Sequence, residues 1–363
     1  MATISFARGA PSLDIVDVEG LREAAQLAFD KDPAGTTAYG TSVGYVPLRE
    51  WIAEQHGVAV EQVLVTNGSM QADAFLFELL VQAGDAVIVE SPTYDRTLLN
   101  LRNRGADVRM VELEPDGISI DALEAVLGEA VHPKLAHIIP NFQNPAGYTL
   151  SAAKRKRLLE LAVEHDFTIF EDDPYVSIRF EGEHIDSMFS QDDAGRVVYA
   201  SSFSKTVCPG IRVGYLVGPQ ALIKQVQTLA TNTYISPNMV AQSIVNQFAR
   251  SGRMEGAIER VKNALRERRD AVVTALQREL PEAKFARPEG GYFMWVELPE
   301  AVDVAELEKA AAQRDVVFVK GTDFLLEGGR NTLRLAYSGV TPEQIDEGIT
   351  KLAEAVRSLG VAA

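Results

Sequence analysis

Between Val197 and Gly214 the chain reads VVYASSFSKTVCPGIRVG, and this stretch concentrates residue types that can do chemistry. The apolar, β-branched run from Val197 to Ala200 predicts a buried strand. It breaks into Ser201-Ser202-Phe203-Ser204 and ends on Lys205, with Arg212 beyond a Pro209-Gly210 turn. A lysine at a buried strand end, beside another cation, loses part of its preference for the charged form, and the neutral amine is a nucleophile. Hydroxyls and a planar guanidinium fork suit a phosphate monoester. An amine for an aldehyde and a Ser/Arg cluster for a phosphate together suggest pyridoxal phosphate (PLP). Taken alone, the segment equally fits a strand-end lysine reaching solvent and an arginine in a surface ion pair.

Other candidate loops sit at the ends of other apolar runs. Asn67-Gly68-Ser69-Met70 joins the strand Val63–Thr66 to a helix from Met70 to Gln82. Backbone N–H groups at a helix start plus a serine hydroxyl can hold a phosphate, although Ser69 or Asn67 is also an ordinary helix cap. Tyr94, after the run Ala86–Glu90, can stack on a flat heterocycle or simply pack. Asn144 lies in Pro140-Asn141-Phe142-Gln143-Asn144-Pro145-Ala146-Gly147, where two prolines and a glycine predict a rigid loop around a donating amide. Asp172 and Tyr175 follow the run Thr168–Phe170; a carboxylate there is costly unless paired, and one placed under a pyridine nitrogen keeps it protonated. Arg334, between Leu333 and Leu335, is either a fork for a substrate carboxylate or the solvent face of an alternating strand. The five histidines show no paired-ligand spacing on one helix and Cys208 is the only cysteine, so no metal site is predicted.

Strands at Val63–Thr66, Ala86–Val89, Asp107–Val111, Ala136–Ile139, Thr168–Phe170, Val197–Ala200 and Val213–Val217 alternate mostly with helices. That pattern predicts an α/β fold with a mostly parallel, doubly wound sheet, and ligands in such sheets sit beyond the carboxyl ends of the strands. A second, smaller α/β unit is predicted around Gly291–Val296, a helix Val304–Arg314 and the strand Thr332–Ala336. The expected division is residues 36–260 for the large unit, with 1–35 and 261–363 forming the smaller unit and an N-terminal arm. Thr36–Gly40 reads as a loop, and Lys154-Arg155-Lys156-Arg157 as the solvated face of a helix from Ala152 to His165.

With 46% hydrophobic and 24% charged residues the chain has the composition of a globular enzyme, and 363 residues suffice for two units. A net charge of -16 argues against nucleic acid or an anionic membrane as partner. No secretory signal pattern, no long apolar run and a single cysteine predict a cytoplasmic protein.

These loops, in this order, closely resemble the fold-type-I PLP-dependent aminotransferases of the class I/II family, nearest to the 2-aminoadipate/kynurenine subgroup. The resemblance covers nearly the whole chain and rests on Asn144-Pro145-Ala146-Gly147, Asp172-Asp173-Pro174-Tyr175 and Ser202-Phe203-Ser204-Lys205 with Arg212. It implies that Lys205 forms the internal aldimine and shuttles the substrate proton, and that Asp172 pairs with the ring nitrogen. It further implies that Asn144 and Tyr175 bind the phenolic oxygen, that Tyr94 stacks, and that Ser69, the Met70 backbone, Ser202, Ser204 and Arg212 hold the phosphate. Arg334 would bind the substrate α-carboxylate beneath Gly9, and Tyr39 would reach the phosphate of a neighbouring subunit in a homodimer. Met70 and Arg8 depart from the pattern, one in place of a polar phosphate ligand and the other in place of a small residue. The expected reaction moves an amino group from an L-amino acid to a 2-oxo acid such as 2-oxoglutarate, with side-chain selection at Arg8, Val16–Leu27 and Tyr45. A PLP-dependent lyase or oxidase would use the same residues. A ligand-sensing transcription regulator shares this domain but needs a helix-turn-helix and a basic face, which the sequence does not show.

Overall fold

Strands whose residues are buried on both faces organise the chain. In the computed structural model, which describes residues 3–129 and 131–360, the strands are β1 (Ile4–Ser5), β2 (Val63–Thr66), β3 (Ala86–Ser91), β4 (Asp107–Glu114), β5 (Gly117–Ile118), β6 (Leu135–Ile138) and β7 (Thr168–Asp172). There follow β8 (Val197–Ser202), β9 (Gly214–Val217), β10 (Lys284–Phe285), β11 (Phe293–Glu297), β12 (Val316–Val317), β13 (Val319–Lys320) and β14 (Thr332–Ala336). Every residue of β2, β6 and β8 is buried, as a sheet covered by helices on both faces requires.

The large sheet has the order β2-β9-β8-β7-β6-β3-β4-β5. Its interior from β8 to β4 is parallel; β9 runs antiparallel between β2 and β8, and β5 runs antiparallel to β4 at the other edge. A four-stranded sheet, β10-β11-β14-β13, forms the second unit, and β1 pairs with β12. The expected α/β architecture and its mostly parallel sheet are those observed.

The arm contributes Ile4, Phe6 and Ile15 to the core around β11 and β14. Helix Val18–Lys31, in contrast, buries Ala24 among Tyr45, Leu48 and Val63 of the large unit. Helix Arg253–Glu279 runs unbroken across the expected boundary at residue 260. Thr36 and Thr37 belong not to a loop but to a short helix, Pro33–Thr37, started by Pro33 and capped by Asp32 on Gly35 N.

The basic run in helix Ala152–Glu164 is a further correction. Arg155 is fully buried, because it shares the inward face with Leu158, Leu161 and Ala162 at helical spacing. Its guanidinium donates to Leu150 O at 3.0 Å, Asp186 O at 3.1 Å, Asn141 Oδ1 at 3.0 Å and Pro140 O at 3.3 Å, pinning the loop that leads to Asn144. Arg155→Leu should therefore destabilise the fold by about 3–5 kcal/mol, since those acceptors and the nearby Glu171 and Asp173 lose their buried cation. Urea unfolding of the two proteins measures it.

Candidate active site

The antiparallel setting of β9 has a geometric consequence. The carboxyl ends of β2, β3, β6, β7 and β8 lie along one edge of the sheet, and β9 begins at that same edge. A cavity of about 590 Å³ opens there, closed opposite by Arg8 and Gly9 of the arm and by Phe293, Phe324 and Arg334 of the second unit. Gly9, Ser69, Met70, Tyr94, Asn144, Asp172, Tyr175, Lys205 and Arg334 all line it.

Lys205 follows β8, and its Nζ donates to Gly9 O at 2.7 Å. The amine also lies 5.4 Å from the ring centre of Tyr175 and 5.2 Å from that of Tyr292, whose hydroxyl donates to Lys205 O at 3.0 Å. The residue as a whole is half-buried, with its amine held against the arm at Gly9. Burial there, with Arg334 and Arg212 nearby, pushes the ammonium from its ordinary 10.5 down to about 8.

Asp172 ends β7 and is 4% exposed; its Oδ1 has no hydrogen-bond partner among the described residues. A buried carboxylate oxygen left unpaired is costly, so its presence at the cavity wall marks a place for a donor. Asn144 is held by a buried scaffold in which Gln143 Nε2 donates to Glu90 Oε2 at 3.1 Å and to Pro92 O at 2.8 Å, while Gln143 Oε1 accepts from Ala146 N. Asn144 Oδ1 in turn accepts from Arg334 Nη1 at 2.8 Å. Arg334 faces this cavity and not solvent, with its guanidinium 4.4 Å from the Phe293 ring centre and 4.8 Å from that of Phe324. Tyr175 is buried on the same wall, and half-buried Tyr94 sits at the start of helix Asp95–Asn103.

At the other end, Ser69 begins helix Ser69–Leu80, and no side chain caps that helix. The ordinary-cap reading of Ser69 and Asn67 is thereby removed, and no side chain occupies the first N–H groups of the helix. Ser204 Oγ accepts from Arg212 Nη1 at 3.0 Å, and Ser202 Oγ accepts from Ser204 N at 3.1 Å. Arg212 adopts the left-handed backbone region (φ 52°), a conformation that costs a non-glycine residue about 1 kcal/mol and is concentrated at functional sites. Its guanidinium lies where a side chain on Gly68 would be, so only glycine (φ +75°) fits that turn.

Ser202, Ser204 and Arg212 do not line the main cavity, but their segment packs tightly on the Ser69 turn: a Cβ on Gly214 would come within 2.7 Å of Ser69 N. Tyr39 is not brought in at all. It is 92% exposed, beside Ser236, Pro237 and Met239 on another surface. Tyr45 and Val16–Leu27 do not line the cavity either: Tyr45 is packed in the core with its hydroxyl on Asp32 at 2.7 Å. Asp95, Arg96, Val319 and Asp323 supply that wall beside Arg8, and none of them stands out in the sequence. Phe293 and Phe324, which sandwich Arg334, are missed as well; an aromatic in a strand signals only packing. Asp73 and His137, beneath Asp172, are also missed, although a polar residue inside the apolar run Leu135–Ile138 is a visible signal.

A flat ring bearing a phosphate fits this set: aromatic side chains and an amine at its centre, a lone carboxylate oxygen, and a turn of N–H groups, hydroxyls and a guanidinium at one end. Fold and site thus define the class, a transferase with the PLP-dependent fold. More particularly, the chain belongs to the aminotransferase class I and II family, whose model matches residues 3–352. It is 34% identical to aromatic-amino-acid aminotransferase 1 of Thermococcus litoralis over 98% of this chain and 88% of that one. An alpha-aminoadipate aminotransferase from Thermus thermophilus, solved with N-(5'-phosphopyridoxyl)-L-leucine, superposes with a TM-score of 0.94 at 33% identity over 98% and 92% of the two chains. A kynurenine aminotransferase from Pyrococcus horikoshii, in complex with PMP, gives 0.95 at 33% identity over 100% and 92%.

Proposed function

We propose that the protein binds PLP at this edge and transfers the amino group of an L-amino acid to a 2-oxo acid, 2-oxoglutarate being the expected acceptor. The observation that carries the proposal is the convergence of Lys205, Asp172 and Arg334 on one cavity from three strands of two sheets. When bound, PLP supplies an electron sink for the charge left on the substrate α-carbon. Lys205 holds the cofactor and moves the proton to and from that carbon, a task suited to an amine that is partly neutral near pH 8. Asp172 keeps the ring nitrogen protonated through its free Oδ1, and Asn144 and Tyr175 donate to the phenolic oxygen. Tyr94 stacks on the ring. Ser69, the Met70 N–H, Ser202, Ser204 and Arg212 hold the phosphate. Arg334 takes the α-carboxylate and Gly9 covers it, so the α-proton is presented to Lys205.

The active unit of this proposal is a homodimer. Tyr39 borders Ser236 and Pro237, which also border the cleft of about 340 Å³ flanking Arg212, so a second copy can place its tyrosine at a phosphate end. Among the described residues no helix is long and apolar enough to cross a membrane. A cytoplasmic location is proposed from the single cysteine. We also assign the arm to Ile15, and not all of residues 1–35, to the smaller unit, because Ile4, Phe6 and Ile15 lie in its core.

The test uses protein stripped of cofactor. Adding PLP should restore a visible absorbance band at a rate that rises with pH and is half-maximal near 8, because the free amine of Lys205 becomes available there. An ordinary lysine would give a rate still climbing above about pH 10. Adding amino acids without an acceptor should then release one equivalent of 2-oxo acid and leave the cofactor aminated. Ammonia in place of an aminated cofactor would indicate a lyase or oxidase, and no band at all would refute the cofactor assignment.

A further inference from the structure

Behind the carboxylate of Asp172 that faces the cavity lie two further buried groups, and several polar atoms of the three have no hydrogen-bond partner among the described residues. His137 lies on β6, fully buried, with Phe170 of β7 5.0 Å away and Phe77 6.0 Å away between ring centres. Asp73, one helical turn before Phe77, comes down from helix Ser69–Leu80 onto the same spot. One imidazole nitrogen and one oxygen of each carboxyl group of Asp73 and Asp172 all lie within 4.8 Å of one another, and His137 Nε2 is 3.5 Å from Asp172 Oδ2. Asp73 Oδ1, both nitrogens of His137 and Asp172 Oδ1 have no partner among the described residues, and none of the three side chains belongs to a residue more than 4% exposed.

We propose that His137 is a positioning residue that orients Asp172 and holds it ionised, with Asp73 acting behind His137 as its proton reserve; the proposal rests on PLP being the ligand of the cavity. Two carboxyl groups this close in apolar surroundings cannot both be ionised without a cation between them. Burial and the neighbouring Asp172 hold Asp73 far above the usual carboxyl range. A protonated Asp73 with neutral imidazole and an ionised Asp73 with imidazolium both leave the three groups with one net negative charge. That charge stays on Asp172 in either arrangement, so a proton can pass between Asp73 and His137 without changing what Asp172 Oδ1 presents to the ring nitrogen. Few other titratable groups reach Asp172. Glu90, from β3, is pushed up to about 8 by burial and so is mostly neutral at pH 7, Tyr94 is held neutral by burial, and Lys205 is cationic below about pH 8. The aromatic neighbours Phe77 and Phe170 carry no charge. Asp173, raised to about 7 by burial, and Tyr175, held neutral by burial, also face Asp172, but each is an acid and neither supplies a base in the place of His137.

The experiment uses the full-length holoprotein with PLP isotopically labelled at its ring nitrogen. Nitrogen NMR reads the pH at which that nitrogen loses its proton, and equilibrium dialysis gives the PLP dissociation constant. His137→Phe, an apolar swap among aromatic rings, should lower the midpoint by about one pH unit and weaken PLP by about tenfold, since a less firmly ionised Asp172 holds the ring proton less well. His137→Gln, which keeps a donor, should recover most of both changes. Asp73→Asn should lower the midpoint by a smaller amount and add nothing to His137→Phe, because Asp73 acts through His137. An unmoved midpoint in His137→Phe, or full additivity of the two substitutions, overturns the proposal. So does a stoichiometric divalent metal in the purified wild type. Should His137→Phe fail to fold, an unmoved midpoint in Asp73→Asn overturns it equally. Wild-type protein that binds no PLP would instead refute the proposed function itself.

Discussion

Lys205→Ala should lower turnover by about four orders of magnitude while leaving the protein folded. General acid–base catalysis by one positioned group is worth up to about that factor, and Lys205 is proposed to add a covalent hold on the cofactor. The fold should survive for a specific reason. Among the described residues the Lys205 side chain donates only to Gly9 O, and the bond from the Tyr292 hydroxyl goes to the Lys205 backbone carbonyl, which alanine retains. At neutral pH the lysine is mostly charged against the opposition of burial, Arg334 and Arg212. Removing it relieves that opposition and offsets lost packing, so the thermal midpoint should not fall. The measurement is single-turnover and steady-state kinetics beside a thermal melt. Lys205→Arg is the companion, since it keeps the cation but cannot become a neutral amine and should be as inactive as alanine. Multiple turnovers at a near wild-type rate in either variant would remove Lys205 from the role proposed for it.

Arg334→Lys should reduce kcat/KM for amino acids by about 10²–10³-fold with PLP affinity unchanged. The guanidinium is fixed by Asn144 Oδ1 and by Ala7 O at 2.6 Å, and is sandwiched between Phe293 and Phe324. Its Nε has no partner among the described residues, although Arg334 is only 7% exposed. A group so rigidly held at a cavity wall presents a fixed face to a carboxylate, and a buried charge-assisted pair that loses its partner costs about 2–5 kcal/mol. A compact ammonium on a flexible stem cannot keep both the Asn144 and Ala7 bonds and also present a planar fork. A second readout separates recognition from general damage. Wild type should discriminate strongly against an amine that lacks the α-carboxylate, and Arg334→Lys should lose most of that discrimination. If both substrates slow by the same factor, Arg334 supports the site without binding the carboxylate.

Several parts of this molecule are legible in its sequence. The strand-end positions of Ser69, Tyr94, Asn144, Asp172 and Lys205 follow from apolar runs that stop at Gly, Pro, Ser or Asp, because local chemistry alone ends a buried strand. The same pattern places Arg334 on a strand but leaves its face open, since alternation in a five-residue strand does not say which side meets a cavity. Tertiary structure decides that by pairing β14 with β11 and standing Phe293 and Phe324 around the guanidinium. The basic run at 154–157 misleads for a related reason: composition points to solvent, while the helical period and the acceptors around Asn141 draw Arg155 inward. The expectation of side-chain selection at Tyr45 and Val16–Leu27 finds no place at this cavity, whose wall is built by residues around 95 and 323. Asp73, His137 and Asp172 are far apart in sequence, on a helix and two strands, and no spacing rule joins them. Sequence by itself thus determined which residue types stand at the ends of which strands, because strand termination is a local event. Only the packed structure determined which of those ends face one cavity and which buried titratable groups meet beneath it, because those depend on sheet order and on burial by distant parts of the chain.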